Sequence, residues 1–566
     1  MTLLADAPAP SGAPTRARTG PGRFARRLGG APLGAHLFAL ALVLLALVPV
    51  VGTGTSFSAD EGAAIVQARS LSRGDGWVVE HPMPEADPGN AYYPLELSTR
   101  GPDGTAPFAK HPLYALLLAG ADRLAGVTGM VLLSVLGTVA AAGLAGLLAA
   151  RIDTGLARPA LWAVGLATPL LFDGYIVIAH TLGAAGAAGA VLAAATAFER
   201  RSRPWALAVA PWIAAAVLLR TEAAFLAVGL AAGAAVVGLR NDRVVAGLVA
   251  GGSLFTAFVA RQAEAAWINR IVGGTASGTG QTTPIPTAGF LSDRWDAFSL
   301  TWLRPGYDAS PVVELLLVLM LATVLLGAYA VRRRRPGATT ILAVAAGSAV
   351  AAVLLAPANI APGLLVACPV IVAGLVMAGR DTVASSTARL AAVTSVVFAL
   401  AVLATQYSTG GSGEWGGRYF ALALPVAVPV LVAAIRTRGS RPLVAGLVVC
   451  SLAMGVMAVG ALRSTHRFGA DLIAAIDRTA GPDRPVLVTT TARVPRLAWP
   501  TFDDQRWLLS TPGDLGALVD RLGTIGVDRF TYVARGQADV DFLPGNVVRE
   551  ASTTHRGWQI LVLRPA

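Results

Sequence analysis

Charged side chains are scarce in this chain of 566 residues. Only 14% of the residues are Asp, Glu, Lys or Arg, against about 25% in an average soluble protein. Because 54% of the residues are apolar, the composition excludes an ordinary soluble enzyme and an intrinsically disordered chain. Lysine is the rarest charged residue, since Lys110 is the single lysine among 45 basic residues.

Cysteine is almost absent as well. The two cysteines, Cys368 and Cys450, both lie inside apolar runs, and two such residues form neither a disulfide framework nor a cysteine metal cluster. The sequence also lacks a nucleotide phosphate loop, a GxSxG turn and an HExxH pair. These absences indicate that any group transfer draws on an activated substrate rather than on a nucleotide bound by this chain.

Long apolar runs dominate what remains. A helix needs about 20 mostly apolar residues to cross a bilayer, and the sequence therefore predicts a polytopic α-helical membrane protein with about thirteen transmembrane helices. The predicted spans are 34–52, 127–150, 158–173, 178–197, 204–219, 222–239, 244–260, 311–331, 339–356, 361–379, 388–405, 418–435 and 442–462.

The formal net charge of +12 is dispersed between the apolar runs, which favours the bilayer over nucleic acid as a partner. With thirteen spans, every arginine cluster between them falls on the side of the N-terminus. Basic loops mark the cytoplasmic side, so the C-terminus is expected outside the cell membrane. The clusters are Arg16 to Arg27, Arg200 to Arg203, Arg240 and Arg243, Arg332 to Arg335, and Arg436 to Arg441.

Three regions are expected. Residues 1–33 form a disordered, basic cytoplasmic tail, residues 34–463 form the membrane domain with an acidic outer loop at 53–110, and residues 464–566 form a small outer α/β domain. In the last region the pattern predicts strands at 485–491, 530–533 and 558–563. It also predicts a helix over 511–523 with Thr511 as its cap and Pro512 at its first position.

The first candidate site is the pair of acids Asp60 and Glu61, directly after the first span. Acids beside a membrane surface are costly unless they serve a function or stay hydrated. One hypothesis makes the pair a general base or a metal ligand at the mouth of an outer cavity. The alternative is a solvated loop acid, with Asp60 as the N-cap of an interfacial helix over 62–71.

Two further candidates lie where the chain meets the membrane again. Lys110 and His111 precede Pro112 at the return of the first loop, and they either contact a phosphate or anchor the chain at the interface. Asp173 and His180 are seven residues apart, so they share a face if the turn between them is helical. Their alternative is a purely structural hydrogen bond.

Four candidate arginines lie on the predicted outer side, against the general preference of basic residues for the cytoplasmic side. This placement indicates a specific role. The four are Arg220, Arg270, Arg304 and Arg418. Arg418 follows a glycine-rich stretch over 410–417 and precedes Tyr419, so backbone can approach a ligand closely while the guanidinium binds phosphate in a bidentate manner. The alternative is that Arg418 pairs with Glu414 in a surface loop.

These pieces together resemble the GT-C class of integral-membrane glycosyltransferases, and in particular the branch of protein O-mannosyltransferases and lipid A aminoarabinose transferases. The similar features are the acids after span one, the run KHPLYALLLAGADRLAG (110–126), the run WGGRYFALALP (415–425) and an outer C-terminal domain. The resemblance implies a transfer on the outer face from a polyprenyl-phosphate sugar, and a single displacement with one base predicts inversion at the sugar carbon. Asp60 would be the base, with Glu61 as the fallback.

The resemblance also assigns the donor phosphate and its surroundings. Arg418 and Arg304 or Arg220 would hold the phosphate beside Lys110 and His111, and the cavity would include Asp173, His180, Glu414 and Tyr419. The return has one proline where many relatives have two, and the second-loop acid motif is reduced to Asp173. The sequence assigns no metal-binding residue and no certain cofactor. Whether the reaction uses a divalent cation is left open by these departures from the family pattern.

The implied acceptor is a cell-envelope glycan, a lipid or a protein, at a bacterial plasma membrane, and arabinose or mannose are the expected sugars. A transporter or flippase of a lipid-linked sugar is the main alternative, and a polymerase or ligase of lipid-linked glycans is the next. In the C-terminal domain, the aromatic residues either stack on the acceptor glycan or form the core. They are Trp499, Trp507, Tyr532 and Trp558.

Overall fold

The computed structural model describes residues 32–95, 111–274, 290–306, 309–356, 360–406, 415–482, 485–541 and 543–566. Within these ranges, nine helices are long and apolar enough to cross a membrane, and the segments Arg203–Leu219 and Ala223–Gly238 are shorter apolar helices. The predicted class, a polytopic helical membrane protein with a small C-terminal α/β unit, is confirmed. The count of thirteen spans is not confirmed, and the orientation of the termini stays a prediction.

In the described residues, the membrane part has eighteen α-helical segments. The first ten are α1 (Leu33–Val51), α2 (Ala59–Arg73), α3 (Pro112–Ile152), α4 (Ala157–Leu166), α5 (Leu170–Asp173), α6 (His180–Arg200), α7 (Arg203–Leu207), α8 (Val209–Leu219), α9 (Ala223–Asn241) and α10 (Arg243–Ile271). The other eight are α11 (Phe290–Phe298), α12 (Pro311–Arg332), α13 (Ala338–Leu355), α14 (Leu364–Ala367), α15 (Pro369–Met377), α16 (Ser386–Thr405), α17 (Leu424–Arg438) and α18 (Arg441–Ala480).

Two of these helices run past the spans that the apolar pattern predicts. Helix α3 begins at Pro112, where proline's missing N–H costs nothing, and it changes direction at Ala125 and Gly126, which have non-helical backbone angles. Helix α18 continues for 40 residues without a break. The predicted domain boundary at 464 therefore lies inside one helix that joins the membrane part to the C-terminal unit.

The C-terminal unit is a five-stranded mixed sheet. Its strands are β1 (Val486–Thr489), β2 (Arg506–Leu509), β3 (Phe530–Arg535), β4 (Val547–His555) and β5 (Trp558–Pro565), in the order β2-β1-β3-β5-β4. Strands β2, β1 and β3 are parallel, whereas β5 is antiparallel to β3 and β4. Three short helices complete the unit: α19 (Arg493–Leu497), α20 (Leu515–Thr524) and α21 (Gln537–Asp541).

The three predicted strands are present, but the predicted start of the helix is wrong. Helix α20 begins at Leu515 with Asp514 as its N-cap. The Thr511 hydroxyl accepts the Asp514 N–H at 3.3 Å and donates to the Asp514 carboxylate at 2.6 Å. Thr511 therefore closes a turn before the helix, and Pro512 lies in that turn.

The described loop after α2 packs against the C-terminal unit. Met83 and Ala86 are buried in the same apolar cluster as strands β1 and β3, and the Leu509 N–H at the edge of the sheet donates to the Tyr92 carbonyl at 2.8 Å. The Arg69 guanidinium lies over the Trp499 ring and donates to its carbonyl at 3.3 Å. The C-terminal unit thus covers α2, the helix that carries the first candidate acids.

Gly62 permits the closest approach between α2 and α19. A Cβ at this position would overlap the backbone carbonyl of Arg496, which has no freedom to rotate away. We expect Gly62→Ala to destabilise the fold by about 1–3 kcal/mol, the usual cost of forcing atoms into a packed contact. The thermal unfolding midpoint in detergent measures this loss.

Gly247→Ala is the matched control, because a Cβ at Gly247 on α10 meets nothing within 4 Å. Alanine there should leave the midpoint unchanged or raise it slightly, since alanine favours helix over glycine. Equal midpoints for the two variants would contradict the close packing of α2 on α19.

A buried histidine–aspartate pair holds the loop that reaches the sheet edge. The His81 Nε2 lies 2.9 Å from the Asp87 carboxylate, which also accepts N–H groups from Ala91 and Tyr92 at 2.8 and 2.7 Å. The His81 Nδ1 accepts the Met83 N–H at 2.9 Å, so the imidazole donates from Nε2 to the carboxylate. Burial alone would raise the pKa of the Asp87 carboxyl, but these hydrogen bonds hold the pKa below its ordinary value of 3.8.

This lowered pKa gives a signed prediction. A carboxyl with a lower pKa in the folded state contributes stability above its unfolded pKa and loses it as the pH falls through the folded value. Wild type should therefore unfold at a higher temperature than Asp87→Asn at pH 7, and the gap should narrow as the pH falls below about 4. Asp528→Asn, at an exposed acid, is the control with little effect; a gap independent of pH would contradict the assignment.

Candidate functional site

The start of α2 places the two candidate acids in different surroundings. Ser58 is the N-cap, and its hydroxyl accepts the Glu61 N–H at 3.3 Å. The alternative with Asp60 as the N-cap is therefore wrong, although the expected helix after span one is present. Both acids lie in the first turn, where the helix dipole favours negative charge.

Glu61 is buried and its carboxylate is taken up by backbone groups. One oxygen accepts the Phe57 N–H at 2.6 Å, and the other accepts the Val177 N–H at 2.7 Å. Only 1% of the residue is exposed. Glu61 thereby ties the start of α2 to the turn between α5 and α6, which fits a structural role better than a base that must meet substrate.

Asp60 is partly open and faces Arg418. The Asp60 Oδ2 lies 3.2 Å from the Arg418 Nη1, and each side chain keeps 18% of its surface exposed. The same guanidinium donates to the Tyr419 hydroxyl at 3.2 Å and lies over its ring at 5.0 Å from the centroid. Two candidates that are 358 positions apart in the chain therefore share one site.

Glycines bring Arg418 to this position. Gly416 and Gly417 have φ angles of +69° and +65°, which side chains rarely adopt. A Cβ on Gly416 would overlap the Pro169 ring, and one on Gly417 would lie 2.8 Å from the Thr301 carbonyl. Only glycine fits both the backbone angles and the space at these two positions.

Aromatic packing fixes the same segment against α2. Trp415 stacks on Phe172 with ring centroids 5.7 Å apart, and Phe172 meets the edge of Phe57 at 4.9 Å. Phe57 lies three residues before Asp60. These stacked rings hold the segment of Asp60 against the segment of Arg418. No spacing pattern in the sequence predicts this stack.

Arg304 belongs to the same group of loops. Its carbonyl accepts the Gly363 N–H at 2.8 Å, and the neighbouring Pro362 carbonyl accepts the Gly416 N–H at 2.8 Å. The backbone of Pro362 and Gly363 thus links the loop of Arg304 to the glycine turn before Arg418 by hydrogen bonds. A donor-binding role for Arg304 stays a prediction.

Arg220 and His111 each contact an acid of their own. Arg220 pairs with Glu222, and its aliphatic stem packs on Gly183 of α6, where a Cβ would lie 3.0 Å from the Arg220 Cγ. His111 pairs with Glu264, which also binds Arg261. Glu264 was not among the predicted residues. Its one signal in the sequence is an acid three residues after Arg261 in a mostly apolar stretch, and its burial appears only in the structure.

Asp173 and His180 lie close together, although the turn between them is not the continuous helix that a shared face requires. The Asp173 Oδ2 lies 3.5 Å from the His180 Nδ1, and both side chains are buried. The residues between them form turns and bends rather than a continuous helix, so helical spacing does not bring them together. Lys110 and Glu414 lie outside the described residues.

The donor groups near Asp60 do not form a built cation site. Within the described ranges, no group of three or more His, Cys, Asp or Glu side chains is placed to hold a metal ion. The Asp60 carboxylate contacts a guanidinium, and both Glu61 oxygens accept backbone N–H groups. Asp60 thus faces a cationic side chain, and Glu61 already accepts two N–H groups. The two acids are therefore not arranged as a pair of metal ligands.

The four aromatic candidates of the C-terminal region are all buried. Trp499, Trp507, Tyr532 and Trp558 are all at most 8% exposed. Tyr532 belongs to the unit's own apolar cluster, whereas Trp499, Trp507 and Trp558 belong to the cluster that continues into the membrane part. This burial supports the hypothesis of a packing role and leaves these rings no open face on which an acceptor glycan could stack.

Comparison with known proteins gives a likeness of fold. No protein-family model matches the chain, and no curated protein sequence matches it. Among solved structures, ArnT from Cupriavidus metallidurans bound to undecaprenyl phosphate has 17% identity and a TM-score of 0.45. That match covers 94% of this chain and 98% of ArnT.

Oligosaccharyltransferase structures from Archaeoglobus fulgidus are similar too. One, tethered to an acceptor peptide, has 10% identity and a TM-score of 0.45, over 88% of this chain and 68% of that chain. Another, named AglB and in complex with an inhibitory peptide and a dolichol-phosphate, has 10% identity and a TM-score of 0.41, over 90% and 70%. ArnT and AglB are GT-C class membrane glycosyltransferases, the class that the short sequence motifs resemble.

Proposed function

We propose that this chain is a membrane glycosyltransferase that moves a sugar from a polyprenyl-phosphate donor to a hydroxyl of an envelope glycan, lipid or protein. The observation that carries the proposal is the contact of 3.2 Å between Asp60 and Arg418. It puts a partly exposed carboxylate in the first turn of α2 beside a partly exposed guanidinium just before the apolar helix α17. The proposed carrier is of the kind named in the ArnT structure, but the support comes from the chain's own residues.

The two side chains have complementary roles in such a transfer. The acceptor oxygen attacks the anomeric carbon, and its proton passes to the Asp60 carboxylate, which acts as the general base. The bond between the anomeric carbon and the phosphate oxygen breaks, and its electron pair leaves with the phosphate. Arg418 stabilises that growing negative charge with charge-assisted hydrogen bonds.

Neighbouring groups keep this site in shape. Glu61 fixes the start of α2, and Tyr419 orients the Arg418 guanidinium from one side. Arg304 is proposed as a second phosphate contact, since its loop joins the glycine turn through Pro362 and Gly363. Arg220 and His111 are already paired with acids, so we assign them to the wall of the cavity.

The alternative is a transporter or flippase of a lipid-linked sugar. Its supporting observation is the buried Asp173–His180 pair, because ionisable residues at membrane depth often mark a translocation path. A transferase and a flippase differ in one simple respect: only the transferase forms product in detergent, where no second compartment exists.

The proposed function is tested by incubating the purified protein in detergent with polyprenyl-phosphate-linked sugars and a hydroxyl acceptor. We expect release of polyprenyl phosphate together with a glycosylated acceptor whose anomeric configuration is inverted, since one base and one displacement give inversion. Nuclear magnetic resonance of the product linkage measures the configuration. A product with retained configuration would exclude the single displacement, and the absence of any transfer with a panel of donors would favour the flippase.

A further inference from the structure

A second basic site lies away from the Asp60–Arg418 pair, on the outer part of α18. A groove of about 560 Å³ runs along one face of that helix and reaches the hairpin between β4 and β5. None of its residues belongs to the candidate site described above. Its lining consists of Gly460, Arg463, Ser464, Arg467, Asp471 and Arg556.

The groove lies level with the end of an apolar helix. The Thr55 hydroxyl, four residues after α1 ends, donates to the His466 carbonyl of α18 at 2.8 Å. A Cβ on Gly469 would lie 3.1 Å from the Thr55 hydroxyl oxygen. Since α1 is apolar enough to cross a membrane, residues 463–471 are expected at the depth where its apolar stretch gives way to headgroups.

The charges of the groove are not balanced. Arg463 and Arg467 are exposed and one helical turn apart, where like charges repel each other. Neither forms an ion pair with any acid that the structure describes. The one acid of the lining, Asp471, pairs with Arg556 at 3.3 Å, so the groove keeps a net charge of about +2 from its three arginines and one aspartate.

The third arginine belongs to the C-terminal unit rather than to the membrane part. Arg556 and Gly557 form the two-residue turn between β4 and β5, with φ angles of +46° and +85°, the left-handed angles that such hairpin turns require. The Arg556 guanidinium also lies 6.0 Å from the Phe468 ring centroid on α18. A ligand in the groove would therefore contact both parts of the chain at once.

We propose that this groove binds the phosphate of an anionic lipid headgroup and thereby fastens the C-terminal unit to the membrane surface. Arginine forks match phosphate oxygens in a bidentate manner, and cationic residues near a bilayer attract anionic lipids. The position at headgroup depth favours a lipid over a free phosphate as the source of that anion.

The test uses the full-length protein in neutral detergent, with bound lipid counted by native mass spectrometry during titration with phosphatidylglycerol, phosphatidylcholine or inorganic phosphate. In Arg463→Ala/Arg467→Ala we expect phosphatidylglycerol affinity to fall about 30-fold, from two interfacial charges. Phosphatidylcholine binding should not change. Arg521→Ala/Arg549→Ala removes two exposed arginines elsewhere in the C-terminal unit and should keep wild-type affinity.

A third variant separates lost binding from lost folding. Arg463→Lys/Arg467→Lys keeps both charges and should recover most of the phosphatidylglycerol affinity, and the unfolding midpoint of each variant shows whether it is folded. Equal lipid affinity in the alanine double variant and the control double variant would overturn the proposal. So would inorganic phosphate that displaces phosphatidylglycerol at comparable concentration, because the site would then be selective for phosphate alone.

Discussion

Replacing Asp60 by asparagine should lower the rate of sugar transfer by about 10²–10⁴-fold, the usual contribution of a general base, while donor binding changes by only a few-fold. Asparagine has nearly the same shape as aspartate, but it does not accept the proton of the acceptor hydroxyl. Transfer is measured as glycosylated acceptor formed per minute, and donor binding is measured separately with the same protein.

Asp75→Asn is the matched control for this change. Asp75 lies on the same loop two residues after α2 ends, and it is half exposed in an ion pair with Arg73, so its loss removes one charge outside the site. We expect this control to transfer sugar at the wild-type rate. Asp60→Asn with undiminished transfer and a normal unfolding midpoint would show that another group is the base.

Replacing Arg418 by alanine should reduce kcat/KM by about 10²–10³-fold, because a donor to the developing charge is lost. Part of this loss should appear as weaker donor binding, since the guanidinium contacts the phosphate before as well as during the transfer. Steady-state kinetics with varied donor concentration separate the two contributions.

Two control variants show whether the loss of activity comes from the guanidinium of Arg418 itself. Arg418→Lys keeps the charge but loses the planar fork, so its loss should be smaller than that of alanine. Arg270→Ala removes an exposed arginine near the end of α10 and should not affect the kinetics. Donor affinity that is unchanged in Arg418→Ala would refute the phosphate assignment.

Residue types, rather than positions, made part of the site predictable from sequence. An acid after the first span and an arginine after a glycine run are both unusual beside a membrane, so each residue could be predicted as a candidate independently of the other. Their contact was not predictable, because it depends on the packing of Trp415 on Phe172 and on the space that Gly416 leaves for Pro169. No local pattern encodes such a contact across 358 positions.

The difference between the two neighbouring acids also needs the fold. Adjacent residues point in different directions from a helix, so Asp60 opens toward Arg418 while Glu61 turns inward to Val177. The sequence could not show which acid is buried, because the Val177 N–H comes from a turn more than 100 positions away. Asp173 and His180 show the reverse case, because helical spacing would have put them on one face, whereas the turns and bends between them bring them together in another way.

In the C-terminal unit, burial decided which strands were predictable. Strand β1, with the sequence VLVT, is buried at all four positions and therefore on both faces, and its apolar run gives a clear signal. Strand β4 lies at the edge of the sheet and is almost entirely exposed, with the sequence VVREASTTH, so it lacks the alternation that marks a half-buried strand. Strand β2, with the sequence RWLL, begins with a charged residue and is fully buried only at its two central positions, so its apolar signal is too short to predict a strand.

The central claim is that Asp60 and Arg418 act in one site on one transfer. Its most direct test is a double-mutant cycle in kcat/KM with the mild variants Asp60→Glu and Arg418→Lys, which leave measurable activity. Residues in contact usually couple by about 0.5–3 kcal/mol, so the double variant should depart from the product of the two single effects by at least about twofold. Single effects that multiply to the double effect within experimental error would contradict a shared site.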